Sequence, residues 1–293
     1  MTKTNKCGII YCNSRKKCDT LASELAKNDI NCVSYHAGLS NKERTSRETM
    51  WKTDEVNIIV ATIAFGMGID KPNVRFVIHN NLPMSIENYY QEIGRGGRDG
   101  KICDCILFYN YQDKIIAEKL LRRNPMYNKN EKYIEHQISK LNQMCIYCEN
   151  IFDCRHCQLS NYLGEKRKYD SQKCHSSCDN CKCVNQYKSE DVSDIVKEIM
   201  KSLMLANNRS SKKNIKLIFS RSNNYSFLSN KYGGKKELSL LFNRIIIYLI
   251  INKYINESLE LNNYGFWDEK LKLYKKSQLV LDDKKKVNIL IRK

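Results

Sequence analysis

At 293 residues the chain can hold about two or three domains, and 42% hydrophobic residues are enough to build their cores. The longest apolar run, near Ile245 to Ile251, is too short to cross a bilayer, which excludes a helical membrane protein. Fourteen cysteines behind a polar start, Met1 to Lys6, fit a reducing compartment with metal-bound or free thiols better than a secreted disulfide framework. The net charge of +18 points to a polyanionic partner. It is concentrated: between Val184 and Lys293, 22 Lys and Arg stand against 11 Asp and Glu.

Taken in order, Gly8 to Cys12 is an apolar run that predicts a strand. A Ser14 cap and a helix with Cys18, Leu21, Ala22 and Leu25 on one face follow it. Asn31 to Tyr35 repeats the strand signal, and Ser40-Asn41-Lys42-Glu43 is a capping box opening a second helix to about Lys52. Val56 to Thr62 and Arg75 to His79 are further buried strands, and Cys105 to Tyr109 closes the series. Alternating strands and helices with short connections imply a parallel sheet covered on both faces, with ligands bound at the strand ends.

Between the last two strands, Ser85 caps a short helix with Ile86, Tyr89, Tyr90 and Ile93 as its apolar face. Gly94 ends that helix, and Arg95 and Arg98 should emerge from the glycine-rich turn beyond it. Planar guanidinium forks on a nearly bare backbone suit a triphosphate, where they offset charge on the transferred phosphoryl group. The turn is not a dinucleotide fingerprint, because Asp99 occupies the place of the last glycine and the turn follows a helix.

From Asp113 to about Cys183 the composition becomes helical and cysteine-rich, with helices expected over Asp113 to Leu121 and Tyr133 to Cys145. Cys154, Cys174, Cys178 and Cys181 form C-x19-C-x3-C-x2-C, a spacing that can close a tetrahedral zinc site. Cys145-x-x-Cys148 and Cys154-x-x-Cys157 compete with it, so spacing alone does not choose among the eight cysteines of this segment. Beyond Val184, Asp191 to Leu205 is amphipathic, Leu238 to Ile255 is a longer helix, and Ser258 to Leu261 with Lys270 to Tyr274 form a hairpin. Helix, helix, hairpin in a basic segment suggests a winged helix. At the hairpin turn, Tyr264, Phe266 and Trp267 are costly to expose unless bases stack on them.

Gly94-Arg95-Gly96-Gly97-Arg98-Asp99 resembles motif VI of superfamily 2 helicases, and Val60-Ala61-Thr62-Ile63-Ala64-Phe65-Gly66-Met67-Gly68-Ile69-Asp70-Lys71-Pro72 resembles motif V of the RecQ family. One departure is Gly96, where that family usually has alanine. Tyr11-Cys12-Asn13-Ser14-Arg15 is similar to motif IV, and Tyr35-His36-Ala37-Gly38-Leu39 to the signature after the next strand. Tyr147-Cys148-Glu149-Asn150 and Asp153-Cys154-Arg155 resemble the RecQ zinc subdomain.

The resemblance implies an α/β fold in three parts: a second RecA-like lobe over residues 1–112, a helical zinc-binding subdomain over 113–183 and a winged-helix domain over 184–293. It implies a 3′-to-5′ ATP-dependent DNA helicase acting in replication, recombination and repair in the nucleus, with single-stranded DNA and duplex junctions as partners and no membrane. Gln91, Arg95 and Arg98 would serve ATP hydrolysis, and Asp70 and Gly68 the nucleotide. Ser14, Arg15, His36, Thr62 and Gly66 would meet DNA beside the hairpin's Tyr264, Phe266 and Trp267. Cys154, Cys174, Cys178 and Cys181 would hold structural Zn2+, leaving Cys157, Cys183 and His175 free.

No G-x-x-x-x-G-K-[ST] loop or D-E-x-H box occurs in these residues. ATP and Mg2+ are therefore expected to be bound jointly with a first RecA-like lobe supplied in cis or in trans. The rival expectation is a zinc-stabilised DNA-binding module without ATPase activity, against which the two retained arginines argue. An RNA helicase of the same superfamily is disfavoured by the zinc and winged segments.

Overall fold

The structure, a computed structural model, describes residues 6–66, 69–124, 130–165, 174, 177–183 and 186–292. It divides into two units, Met1–Met144 and Cys145–Lys293. Among the described residues no helix is long and apolar enough to cross a membrane.

The first unit is built on a five-stranded parallel sheet in the order β2-β3-β1-β4-β5, from β1 (Cys7–Tyr11), β2 (Cys32–Tyr35), β3 (Ile58–Ala61), β4 (Val74–His79) and β5 (Asp104–Leu107). Successive strand residues face opposite sides, so Ile9 and Ile59 enter one core while Ile10 and Val60 enter the other. Helices α1 (Arg15–Lys27), α2 (Asn41–Lys52) and α3 (Ile86–Ile93) connect the strands. Ser14, Ser40 and Ser85 cap them as anticipated, with the full Ser40–Glu43 box formed. Helix α4 (Tyr111–Arg123) and α5 (Glu131–Glu149) begin earlier and end later than their apolar patterns suggested.

The core beside α2 is aromatic. Trp51, fully buried, meets Phe65 edge-on at 5.4 Å, and Phe65 meets Tyr35 at 4.8 Å. A lysine closes this core. Lys71, 5% exposed, donates to the carbonyls of Trp51 (2.7 Å) and Lys52 (3.0 Å) and to Asp54 Oδ1 (2.8 Å), satisfying the last carbonyls of α2 with a charge suited to a helix C-terminus.

The second unit holds α6 (Arg155–Tyr162), α7 (Asp179–Cys183), α8 (Ser193–Leu205), α9 (Lys212–Ser220), α10 (Tyr225–Lys231), α11 (Lys235–Ile251) and α12 (Gln278–Leu281). Ile195, Ile199 and Leu203 of α8 and Leu238, Phe242, Ile245 and Leu249 of α11 are fully buried. Phe219 of α9 lies 5.1 Å from Phe242. The expected long helix is shorter than its apolar run: Asn252 caps it, Lys253 turns the chain at φ 60, and Ile255 already belongs to the next strand. Strands β7 (Ile255–Leu261) and β8 (Trp267–Leu273) form the expected antiparallel hairpin, and Ser210 bridges to Leu271 beside it. Strands β6 (Tyr187–Asp191) and β9 (Asn288–Arg292) pair across the length of the unit. This set of helices and a hairpin is compatible with a winged helix.

Lys71→Met should lower the stability of the first unit by about 2–3 kcal/mol, because charged hydrogen bonds to buried carbonyls are lost. Urea unfolding followed by tryptophan fluorescence measures this; a loss below about 0.5 kcal/mol would remove the lysine's role as a strut.

Candidate nucleotide rim and zinc site

The motifs after β1, β2 and β3 start at the C-terminal ends of those parallel strands, whereas the motif VI turn follows α3 and is bonded to Pro72 and Val74 at the start of β4. The turn after β3 is held from two sides. Tyr11 at the end of β1 donates its hydroxyl to the Phe65 carbonyl (3.1 Å), and Arg95 packs its guanidinium on Gly66, where a Cβ would come within 2.6 Å of Nη2. Only glycine leaves room for that contact. Arg95 is therefore 8% exposed, and it does not emerge from its turn as the sequence suggested.

Arg98 does emerge, with 37% of its side chain exposed. Its Nη1 donates to the Ile69 carbonyl (2.9 Å) and to Asp70 Oδ1 (2.9 Å), an aspartate that is itself 81% exposed. The turn carrying Arg98 is fixed to β4's approach by Gly97 N–H to Val74 O (3.0 Å) and Asp99 N–H to Pro72 O (3.3 Å). Arg75 pairs with Asp99, and the hydrogen bond from that guanidinium holds the Asp99 carboxyl below its ordinary value. Gln91 stands exposed on the last turn of α3. Gly68 and His175 lie outside the described residues.

The expected DNA contacts divide. Arg15 is exposed, Thr62 is half-buried, and Ser14 spends its hydroxyl accepting from Lys17 N–H at 3.3 Å. His36 does not face outward. It is 5% exposed; Nδ1 accepts from Gly38 N–H (3.2 Å), and Nε2 faces the Asp19 carboxylate at 3.0 and 3.1 Å. With both ring nitrogens occupied within the chain, the ring holds its own loop and is turned inward. Burial works against the Asp19 carboxylate, yet hydrogen bonds from Ser34 and His36 hold it below its ordinary value. At the hairpin tip Tyr264 is 86% exposed and Phe266 62%, whereas Trp267 is half-buried at the start of β8.

Sequence reasoning missed a buried hydrogen-bonded pair beside these turns. His79 Nε2 lies 2.7 Å from Glu92 Oε2, with side chains 2% and 9% exposed, and His79 stacks on Tyr11 at 5.2 Å. The available signal was Glu92 itself, an acid on the apolar stripe of α3 three residues after Tyr89. A cavity of about 230 Å3 opens beside the pair, lined among others by Tyr11, Asn13, Thr62, Asn81 and Asp113.

In the second unit Cys154, Cys174, Cys178 and Cys181 gather their sulfurs within 4.8 Å of one another, all buried. Zinc–thiolate bonds of about 2.3 Å place tetrahedral sulfurs roughly 3.8 Å apart, so the donor set fits Zn2+ with slight contraction. Cys157, 6% exposed, packs in the same cluster but outside the four donors. The shell is built to hold them: Asn180 donates to the carbonyls of Asn150 (2.8 Å) and Asp153 (2.7 Å), and Arg155 pairs with Asp179 at 3.0 Å. Cys181 N–H donates to Cys178 Sγ (3.4 Å). Burial pushes the Cys154 thiol up to about 11. Cys174 is drawn down to about 6 despite its own burial, by the Cys178 backbone N–H and the neighbouring thiols.

The profile of the helicase conserved C-terminal domain matches residues 1–100, so the parallel sheet and its motif rim are a helicase second lobe. The RecQ zinc-binding profile matches residues 111–182, which include all four cysteine donors. The chain belongs to the RecQ family. It is 35% identical to the Saccharomyces cerevisiae ATP-dependent helicase SGS1 over 97% of its length and 44% identical to the Xenopus laevis RecQ-like DNA helicase BLM over 67%, spanning 20% and 15% of those proteins. Among solved structures, domain 2 of the DEAD-box helicase Mss116p bound to an RNA duplex shares 31% identity over 39% of this chain and 46% of that one, at a TM-score of 0.35.

Cys178→Ser and Cys181→Ser should each release zinc and lose cooperative unfolding of the second unit, while Cys157→Ser keeps one equivalent. Metal analysis of the purified variants decides the ligand set. Because ligation displaces thiol protons, zinc affinity should also fall as pH is lowered.

Proposed function

We propose that this chain is the C-terminal part of an ATP-dependent DNA helicase that translocates 3′ to 5′ and separates duplex DNA in nuclear replication, recombination and repair. Residues 1–112 act as the second motor lobe, 113–183 as the zinc-binding subdomain and 184–293 as a winged-helix DNA-binding domain. The observation that carries the reading is Arg98: a guanidinium exposed at the end of a pinned turn, beside the carboxylate expected to face a nucleotide ribose. ATP and Mg2+ are bound jointly with a first lobe bearing the Walker motifs.

The residues divide the work. Arg98 offsets charge developing on the transferred phosphoryl group, and Gln91 helps orient the hydrolytic step. Asp70 receives the ribose once Arg98 turns to phosphate. Arg95 is better suited to coupling than to direct contact, since its buried guanidinium supports the turn that carries Thr62 and Gly66 toward the DNA backbone. Basic residues beyond Val184 supply the sequence-independent grip on phosphates. Exposure of Tyr264 and Phe266 supports the hairpin tip as the element that meets the duplex junction.

With a first lobe supplied, Arg98→Ala should cost on the order of a thousandfold in ATP turnover while nucleotide binding persists. Unchanged turnover would remove the arginine from catalysis, and DNA-stimulated ATPase from residues 1–293 alone would refute the two-lobe site. In the same reconstituted enzyme, replacing Tyr264 and Phe266 by alanine should reduce unwinding while single-strand-stimulated ATPase and Tm stay unchanged. A fall in Tm with proportionate loss of every activity would mark these rings as core.

A further inference from the structure

The turn between Arg95 and Arg98 rests on a cysteine. An added Cβ on Gly96 would lie 2.2 Å from Cys103 Sγ, and one on Gly97 3.3 Å from Cys103 Cβ, so the Cys103 side chain fills a slot against the bare backbone of both glycines. Its other side packs on the core around Ile9, Trp51 and Val77. Two residues on, Cys105 is exposed on β5, the edge strand of the sheet. Residues i and i+2 of an extended chain share a face, which sets the Cys103 and Cys105 thiols side by side. The neighbouring Cys105 thiol first, and Arg75 after it, draw the Cys103 thiol below its ordinary value against burial, while Cys103 and burial push Cys105 up.

We propose that Cys103 and Cys105 are a peroxide-oxidised thiol pair whose disulfide withdraws Cys103 from its slot and loosens the turn that sets Arg98. A thiolate of the pair attacks one peroxide oxygen; an S–O bond forms, the O–O bond breaks, and the departing hydroxide takes up a proton as water. The other sulfur then attacks that sulfenic acid. An S–S bond forms, the S–O bond breaks, and the hydroxyl leaves with the second thiol's proton as a second water, so two thiols lose two electrons and one peroxide becomes two waters. An extended strand advances about 6.6 Å over two residues, whereas a disulfide needs Cβ atoms about 3.5–4.5 Å apart. Closing the bond must therefore contract the chain at the start of β5. Cys103 is the end that moves, because Cys105 is held in the β4–β5 ladder opposite Val77.

Significance of the loosened turn for ATP turnover rests on the helicase reading above, but the test does not use turnover. The zinc-loaded chain is treated with hydrogen peroxide, blocked with N-ethylmaleimide and digested with trypsin. The peptide Ile102–Lys114 contains Cys103 and Cys105 and no other cysteine. It should lose about two hydrogens in mass and escape alkylation, and dithiothreitol should restore two alkylated sites. Amide exchange over residues 94–101 should rise about tenfold on oxidation, and stay unchanged in Cys105→Ser treated alike. Gly96→Ala, which places a methyl in the slot, should speed alkylation of Cys103 in the untreated native chain by about tenfold. Full alkylation of both cysteines after peroxide, a crosslink from either to another cysteine, or a disulfide without altered exchange over 94–101 would each overturn the proposal. Because Cys105→Ser leaves the slot intact, the exchange comparison stands even if Gly96→Ala fails to fold.

Discussion

The hydrogen bond from the Tyr11 hydroxyl to the Phe65 carbonyl is the constraint on which the rim depends. It fastens the turn after β3 to the central strand of the sheet, so the backbone that Arg95 presses against cannot drift from the core. Tyr11 is 4% exposed, and burial pushes its hydroxyl above its ordinary range, which keeps it a donor at any working pH. A phenol that ionised would lose the proton this bond requires. The same ring stacks on His79, whose partner Glu92 belongs to α3, and so one residue ties β1, β4, the motif V turn and the motif VI helix together.

Two different solutions stabilise the first unit and the cysteine-rich segment of the second. In the first, hydrophobic faces on both sides of a parallel sheet do most of the work, and polar groups fasten turns to it. Around the cysteines the core is small, and zinc held by the four thiolates would supply what apolar burial does not. The division suits a helicase lobe that holds several turns in register beside a cysteine cluster that holds a loop-rich segment in one shape.

Local signals made much of this legible. The five strands were visible as apolar runs between capped helices, and the Ser40–Glu43 box formed as its spacing required. The four zinc cysteines could be chosen from eight only by resemblance, since their convergence is a tertiary fact. What escaped was non-local. Strands β6 and β9 find each other across about a hundred residues with no pattern to announce it, and α9 and α10 are too short for their periodicity to stand out. The end of α11 was misplaced because apolar residues continue past it, while a left-handed Lys253 turns the backbone. Gly96 departs from the alanine usual in its family for a reason invisible in its own motif: the Cys103 sulfur already occupies the methyl's place.

On the nucleotide role proposed above, the pairing of Arg98 with Asp70 has a consequence for how the lobe waits for its ligand. Both groups are well exposed, so water screens their attraction to no more than about 1 kcal/mol. A second bond, to the Ile69 carbonyl, adds direction more than strength. The guanidinium is thus aimed without being committed: its rotamer freedom is already reduced, yet a polyphosphate with several negative charges outbids a single screened carboxylate. Swivelling the arginine away also unmasks Asp70. One side-chain rotation would convert a self-neutralised surface into two oppositely charged groups, which the proposed function assigns to different parts of one nucleotide.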